Sequence, residues 1–146
     1  MAKAFSIEDG NLAKVPLVSS ITKPYKDIDL TFAKKSSGDI FKKTDAAAVK
    51  QSVKNILLTN RTEKPFDPYF GGGLNDFLFE LSDDFSDLDI KEQVAQAISN
   101  YEPRAVVKAV DVNLNPDFNS MSVRVEFSII TTLENVVLEV DLVRLR

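Results

Sequence analysis

Hydrophobic and polar positions change period along this chain, from helical spacing in its middle to strict alternation toward its end. Residues 1–24 scatter apolar positions around Gly10 and Pro16, close on Pro24 with no sustained period, and read as an extended N-terminal arm. Asp27-Ile28-Asp29-Leu30-Thr31-Phe32 alternates polar with apolar, which predicts a half-buried strand with Ile28, Leu30 and Phe32 on one face. Ser36-Ser37-Gly38 then turns the chain. A first helix is expected over residues 45–59, where Asp45 is placed to cap the orphan amides and Ala46-Ala47-Ala48 are strong helix formers. Val49, Val53, Ile56 and Leu57 fall on one face of it, with Lys50 and Lys54 outside. Residues 60–73 contain Pro65, Pro68 and three glycines, so neither helix nor central strand fits. Phe66, Tyr69 and Phe70 predict that this loop is packed down, and connections of such length are often functional.

A short helix is predicted over residues 74–81, and a longer one over 87–100 with Ile90, Val94 and Ile98 on its inner face. Pro103 ends it, since the residue before a proline is pushed out of the helical region. Three strands follow. In the first, residues 105–114, Val106, Val110, Val112 and Leu114 alternate against Val107, Ala109 and Asp111. In the second, residues 121–130, Val123, Val125, Phe127 and Ile129 face one way. In the third, residues 136–145, Val136, Leu138, Val140 and Leu142 face the core, with Glu139 and Asp141 outside. The fold class is α+β: an arm and a strand, about three helices, then an antiparallel meander packed on the helices, all in one domain spanning residues 25–146. If the last strand lies at the sheet edge, its unpaired backbone groups form a template for strand addition by a partner.

At 146 residues the chain can hold a substantial core, with about 68–70% of its unfolded surface buried. It has no Cys, His or Trp, which excludes disulfides, thiol catalysis, histidine-based nucleophile systems and the common zinc sites. No metal, cofactor or catalytic constellation is expected. No run approaches the ~20 apolar residues of a membrane span, and the N-terminus lacks the apolar stretch of a signal peptide, so a soluble product made in the cytoplasm is expected. The net charge of −4 conceals opposite halves: residues 1–64 carry 12 Lys/Arg against 7 Asp/Glu, and residues 65–146 carry 6 against 15. The lysines are dispersed and lack aromatic partners, which argues against nucleic acid. A solvated surface and complementary patches within an assembly both fit this asymmetry.

Several local signals reduce to plainer readings. Gly71-Gly72-Gly73 lacks the Lys-Ser/Thr of a phosphate loop and suits a tight backbone turn. Asn60-Arg61-Thr62 matches a glycosylation acceptor but has no secretion signal. The acids Asp76, Glu80, Asp83, Asp84, Asp87, Asp89 and Glu92 lack calcium-loop spacing and fall on expected helix ends and turns, where acids are favoured. Glu102-Pro103-Arg104 is the sharpest signal, an acid and a base on either side of a fixed φ at the junction of helix and sheet. It reads either as a helix stop with an internal ion pair or as a preorganised arginine presented to a partner.

Taken in order, Asp29-x-x-Phe32, Gly38-Asp39-Ile40, Asp45 with Val49-Lys50-Gln51-Ser52-Val53-Lys54-Asn55-Ile56-Leu57-Leu58-Thr59, Pro65-Phe66-x-Pro68-x-Phe70-Gly71, Leu78-Phe79-Glu80 and Glu102-Pro103-Arg104 carry a resemblance. The chain resembles the baseplate wedge and sheath-initiator family of contractile phage tails and related injection systems, over roughly residues 25–110. It departs where Thr62-Glu63-Lys64 replaces the family's usual Gly-Glu-Arg and where Ala105 replaces the Val favoured after Glu-Pro-Arg. The resemblance implies a structural, non-enzymatic role in the virion baseplate, after assembly in the host cytoplasm. It implies that Glu102, Pro103 and Arg104 dock on the helical core bundle formed by other wedge proteins. It further implies that the C-terminal sheet, through Val136, Leu138, Val140 and Leu142, pairs with strands of the tail sheath protein. The alternative is a baseplate-associated cell-wall glycan hydrolase of the lysozyme type, with Glu63 or Glu80 as acid.

Overall fold

A computed structural model of the chain describes residues 25–79, 87–115 and 119–144. The N-terminal arm, the end of the predicted second helix and the Asn115-Pro116-Asp117 turn lie wholly or partly outside them. The architecture is α+β, a helical layer on a three-stranded antiparallel sheet, as the change of period predicts. The elements are β1 (Lys26–Ile28), β2 (Lys42–Thr44), α1 (Ala46–Leu58), α2 (Leu74–Phe79), α3 (Asp87–Tyr101), β3 (Ala105–Asn115), β4 (Ser120–Ile129) and β5 (Asn135–Val143).

The core lies between the helical layer and one face of the sheet. Val49, Val53 and Leu57 of α1 and Ile90, Val94 and Ile98 of α3 meet Val123, Val125, Phe127 and Ile129 of β4, with Leu138, Val140 and Leu142 of β5 beside them. Met121, Val123, Val125, Phe127 and Ile129 are at most 1% exposed, so β4 is the central strand and its inner face is sealed. Each such side chain contributes about 1.5–3 kcal/mol over its exposed state, which makes β4 the energetic centre of the domain.

The first predicted strand is corrected. β1 stops at Ile28, and Ile28, Leu30 and Phe32 are exposed. The cause is the carboxylate of Asp29, whose Oδ1 accepts the Thr31 N–H at 3.0 Å. The Asp29 carbonyl also accepts the Phe32 N–H at 3.1 Å, and Phe32 takes a φ of 52°. An aspartate turn thus breaks what alternation alone reads as a strand. Gln51 of α1, almost fully buried, fastens this segment by donating to the Ile28 carbonyl at 2.8 Å and accepting from the Leu30 N–H at 3.3 Å.

Asp45 does not cap α1 with its side chain. It sits at φ 48°, and its Oδ1 accepts the Tyr25 N–H at 3.1 Å while its own N–H donates to the Tyr25 carbonyl at 2.8 Å. In β3 the expected parity fails near the start. A bulge between Val107 and Ala109 inserts Lys108, so Ala105 and Val107 share the inner face with Val110 and Val112, and Val106 is exposed. One extra residue exchanges the faces, and no residue type announces it.

The long loop is also less packed than expected, since Phe66 and Tyr69 are exposed. Only Phe70 turns inward, 4.9 Å from the Tyr101 ring, with the Lys64 ammonium 4.0 Å from its own ring centre. Thr62 and Phe66 adopt positive φ, and the Thr62 N–H donates to the Pro68 carbonyl at 2.9 Å, so the loop closes on its own backbone. Its glycines seal it against the end of α1. A Cβ on Gly71 would lie 2.3 Å from the Thr59 carbonyl oxygen, and the Gly72 N–H donates to the Ile56 carbonyl at 2.8 Å.

Candidate functional site

Two features could engage a partner: the junction between α3 and β3, and the open edge of β5. At the junction, α3 ends where Pro103 forbids continuation, and the Glu102 N–H donates to the Ile98 carbonyl at 2.8 Å as the last helical bond. The Arg104 carbonyl accepts the Ile130 N–H at 3.1 Å, locking the residue to the far end of β4. Both side chains are therefore held by short, fixed backbone.

Glu102 is 2% exposed and is the only buried carboxylate among the described residues. Arg104 meets it with two hydrogen bonds, Nε to Oε1 and Nη2 to Oε2, each 2.5 Å. Burial pushes the Glu102 carboxyl up, but hydrogen bonds from Arg104 and Ser52, with the guanidinium charge, outweigh it and hold the carboxyl below its usual range. The hydrogen bonds to Glu102 raise the Arg104 guanidinium above its usual range, against the cost of its own burial. The guanidinium lies 4.9 Å from the centre of the Tyr25 ring, and Tyr25 is the residue whose backbone Asp45 holds. Asp45, Tyr25, Arg104, Glu102 and Ser52 thus form one connected set that ties the first described residue to α1 and to the sheet.

About a third of the Arg104 side chain remains exposed. The arginine is oriented by a carboxylate already satisfied within the chain, and its outer side meets solvent. The internal ion pair and the presented arginine are therefore compatible. Sequence reasoning missed Tyr25, Asp45 and Ser52 as supports, because Asp45 before Ala46-Ala47-Ala48 reads as an ordinary helix cap and nothing marks the other two.

In the sheet the strand order is β3-β4-β5, so β5 is an edge. The N–H and C=O of a strand residue point to the same neighbour, and direction alternates along the strand. The Ile129 N–H donates to the Glu134 carbonyl at 3.1 Å and the Arg144 N–H to the Asn119 carbonyl at 3.0 Å, which fixes the parity. Val136, Leu138, Val140 and Leu142 turn their backbone toward β4 and their side chains toward the core. Their own main-chain groups are thus used within the sheet, and they would support an added strand by holding β5 in place. The groups that face outward belong to Asn135, Val137, Glu139, Asp141 and Val143, and none of these has a main-chain partner among the described residues. Their parity follows from which turn joins β4 to β5, which alternation cannot supply.

Glu63 is exposed and its Oε2 accepts the Asn60 N–H at 2.9 Å, and Glu80 lies outside the described residues. A general acid needs an apolar site that raises its pKa, whereas Glu102, the one buried carboxylate among the described residues, is shifted the opposite way.

The fold has solved counterparts. It is similar to a tail-lysozyme candidate from Geobacter sulfurreducens, with a TM-score of 0.59 and 22% identity over 68% of this chain and 90% of that one. It is also similar to a chain of the anti-feeding prophage baseplate, with a TM-score of 0.57 and 18% identity over 82% of this chain and 86% of that one. These likenesses define a class of α+β domain. Membership is settled by sequence: residues 43–135 match the model of the family described as baseplate wedge protein gp25. The chain is 30% identical to baseplate wedge protein gp25 of Enterobacteria phage T4 over 119 residues, covering 82% of this chain and 90% of that protein. It belongs to the gp25 baseplate wedge family, and is a structural component of the baseplate of a contractile tail or related system.

The departures from the family pattern acquire a physical meaning here. Thr62, where the family usually has Gly, has a φ of 67°, a left-handed conformation that a β-branched residue adopts only with strain. Lys64, where the family has Arg, sits over the Phe70 ring and pairs with Asp67 at 3.3 Å.

Proposed function

We propose that the chain docks on the helical core bundle of the wedge through Glu102, Pro103 and Arg104, and starts sheath assembly by accepting a strand of the tail sheath protein along β5. The observation that carries this reading is the edge itself. β5 runs nine residues with no bulge, glycine or proline, and presents a regular row of donors and acceptors that are unpaired among the described residues. Natural edges are usually blunted, so an open one favours a partner strand. At the α3–β3 junction, a rigid, carboxylate-oriented arginine suits a bidentate or stacked contact that a lysine could not replace. The role is non-enzymatic, and assembly into the virion takes place in the host cytoplasm.

The test is electron microscopy of particles from a strain lacking this gene, complemented with wild type, Arg104→Ala or Val137→Pro. Val137 turns its N–H outward, so proline there removes an edge donor without breaking a β4–β5 bond. Missing or sheathless tails restored by wild type alone support both contacts. Fully sheathed tails from Val137→Pro overturn strand addition, and sheathed tails that fail to breach the cell wall when the gene is absent favour the hydrolase.

A further inference from the structure

Between α1 and the open edge of β5 runs a groove lined by Lys43, Ala47, Lys50, Lys54, Val137 and Glu139, among others. Lys43 is neutralised by Asp29 at 3.3 Å. Lys50 and Lys54 are exposed and have no ion pair among the described residues. They stand one helical turn apart on the same face, an i, i+4 pair of like charges that repel each other and disfavour the helix unless an anion lies between them. Glu139 borders the groove with its strand, but its carboxylate lies on the outer face of the sheet, where Oε1 accepts from Ser122 Oγ at 3.5 Å; with the outward Asp141 it disfavours acids on that face.

A strand laid along β5 sends alternate side chains to these two faces. We infer that the strand received by β5 is acidic at every second position, its Asp or Glu side chains entering the groove beside Lys50 and Lys54 and its intervening residues apolar or basic. The inference rests on the proposal that β5 accepts a strand, and it adds what that strand must look like. Charge on one side only also sets register, because a slip of one residue would turn the acids onto Glu139 and Asp141.

The test uses the full 146-residue chain, isotope-labelled, titrated to millimolar levels with two capped eight-residue peptides, one alternating Glu with Val and one alternating Thr with Val. Both should shift the amide signals of Asn135, Val137, Glu139, Asp141 and Val143. The Glu peptide should bind about tenfold more tightly at low salt, an advantage screened at high salt and abolished in Lys50→Glu/Lys54→Glu. Equal binding of the two peptides would overturn the acidic pattern while leaving strand addition standing. If neither peptide moves the β5 signals, strand addition falls and the pattern with it. If those signals move with protein concentration alone, the occupant is a second copy of this chain and the inference is wrong.

Discussion

Removing the guanidinium of Arg104 should reverse the way the stability of this domain responds to pH. In the wild type, Glu102 titrates below its usual range in the folded state, so the unfolded chain binds more protons as pH falls. Its contribution is therefore complete at neutral pH and is lost on acidification through the folded pKa. In Arg104→Ala the carboxyl keeps its burial but loses both hydrogen bonds and the neighbouring charge. Burial, the largest influence on this carboxyl, is then opposed only by the Ser52 hydroxyl and the backbone N–H of residue 104, so the folded pKa should rise above the unfolded one and stability should fall as pH rises. Protonation limits the penalty. Neutralising a carboxyl of ordinary pKa about 4.3 costs about 3.7 kcal/mol at pH 7 and about 1 kcal/mol at pH 5. The first figure lies within the ~3–5 kcal/mol typical of breaking a buried pair. Loss of the stack on Tyr25 adds about 0.5–1 kcal/mol at either pH. We expect Arg104→Ala to be destabilised by up to about 4–5 kcal/mol at pH 7 and about 1.5–2 kcal/mol at pH 5, and to remain a folded monomer. Urea unfolding followed by far-ultraviolet circular dichroism at both pH values measures this, and Glu102→Gln in the same background should recover most of the loss at pH 7. Parallel wild-type and variant curves would refute the reasoning, because they would mean that Glu102 is not held apart from water.

The other expectations follow from single positions. Thr62→Gly should stabilise the fold by about 1 kcal/mol in urea unfolding, since it relieves a β-branched residue at φ 67°. Gly71→Ala should destabilise by more than about 2 kcal/mol by the same assay, because its Cβ meets the Thr59 carbonyl oxygen at 2.3 Å with φ at 113°. Phe127→Ala should cost about 3–5 kcal/mol, as the largest fully buried side chain on the central strand. Deleting residues 136–146 should abolish the cooperative transition, because Leu138, Val140 and Leu142 belong to the core; a well-folded truncation would mean that the last strand is a donated arm.

How much of this was legible depends on whether a signal is carried by many residues or by one backbone event. Val49, Val53, Ile56 and Leu57 in α1, and Val123 to Ile129 in β4, repeat one period over several turns or pairs, and the structure buries them as predicted. Ile28, Leu30 and Phe32 keep an equally clean period, yet Asp29 spends its carboxylate on a turn and ends the strand. Val106 is misplaced by the bulge at Lys108, and the cap assigned to Asp45 goes instead to Tyr25. The pairing of Glu102 with Arg104 could be anticipated from their spacing about Pro103. The outward set from Asn135 to Val143 could not, because side-chain alternation identifies which residues face the core and says nothing of which backbone groups remain unpaired.

The two edges of the sheet are not equivalent, and the difference sets how many strands the domain can take. β3 is kinked by its bulge between Val107 and Ala109, one of the devices by which an edge strand escapes further pairing. α3 also packs against it, with Leu88, Ala95 and Ser99 facing Val106 and Lys108 across a groove. α1 likewise borders β5 across a groove, but β5 carries no bulge. A domain blunted on one side and open on the other can begin a run of strand additions but cannot be inserted into the middle of one, which is what the proposed initiating role requires. The expected stoichiometry is one added strand per chain, and it can be read from the saturation of amide shifts by a β-forming peptide. Shifts confined to Asn135 through Val143 that saturate at one equivalent bear this out. A second set in Ala105 through Leu114 would show that β3 also accepts a strand, and the domain would then be a link between neighbours with no fixed end.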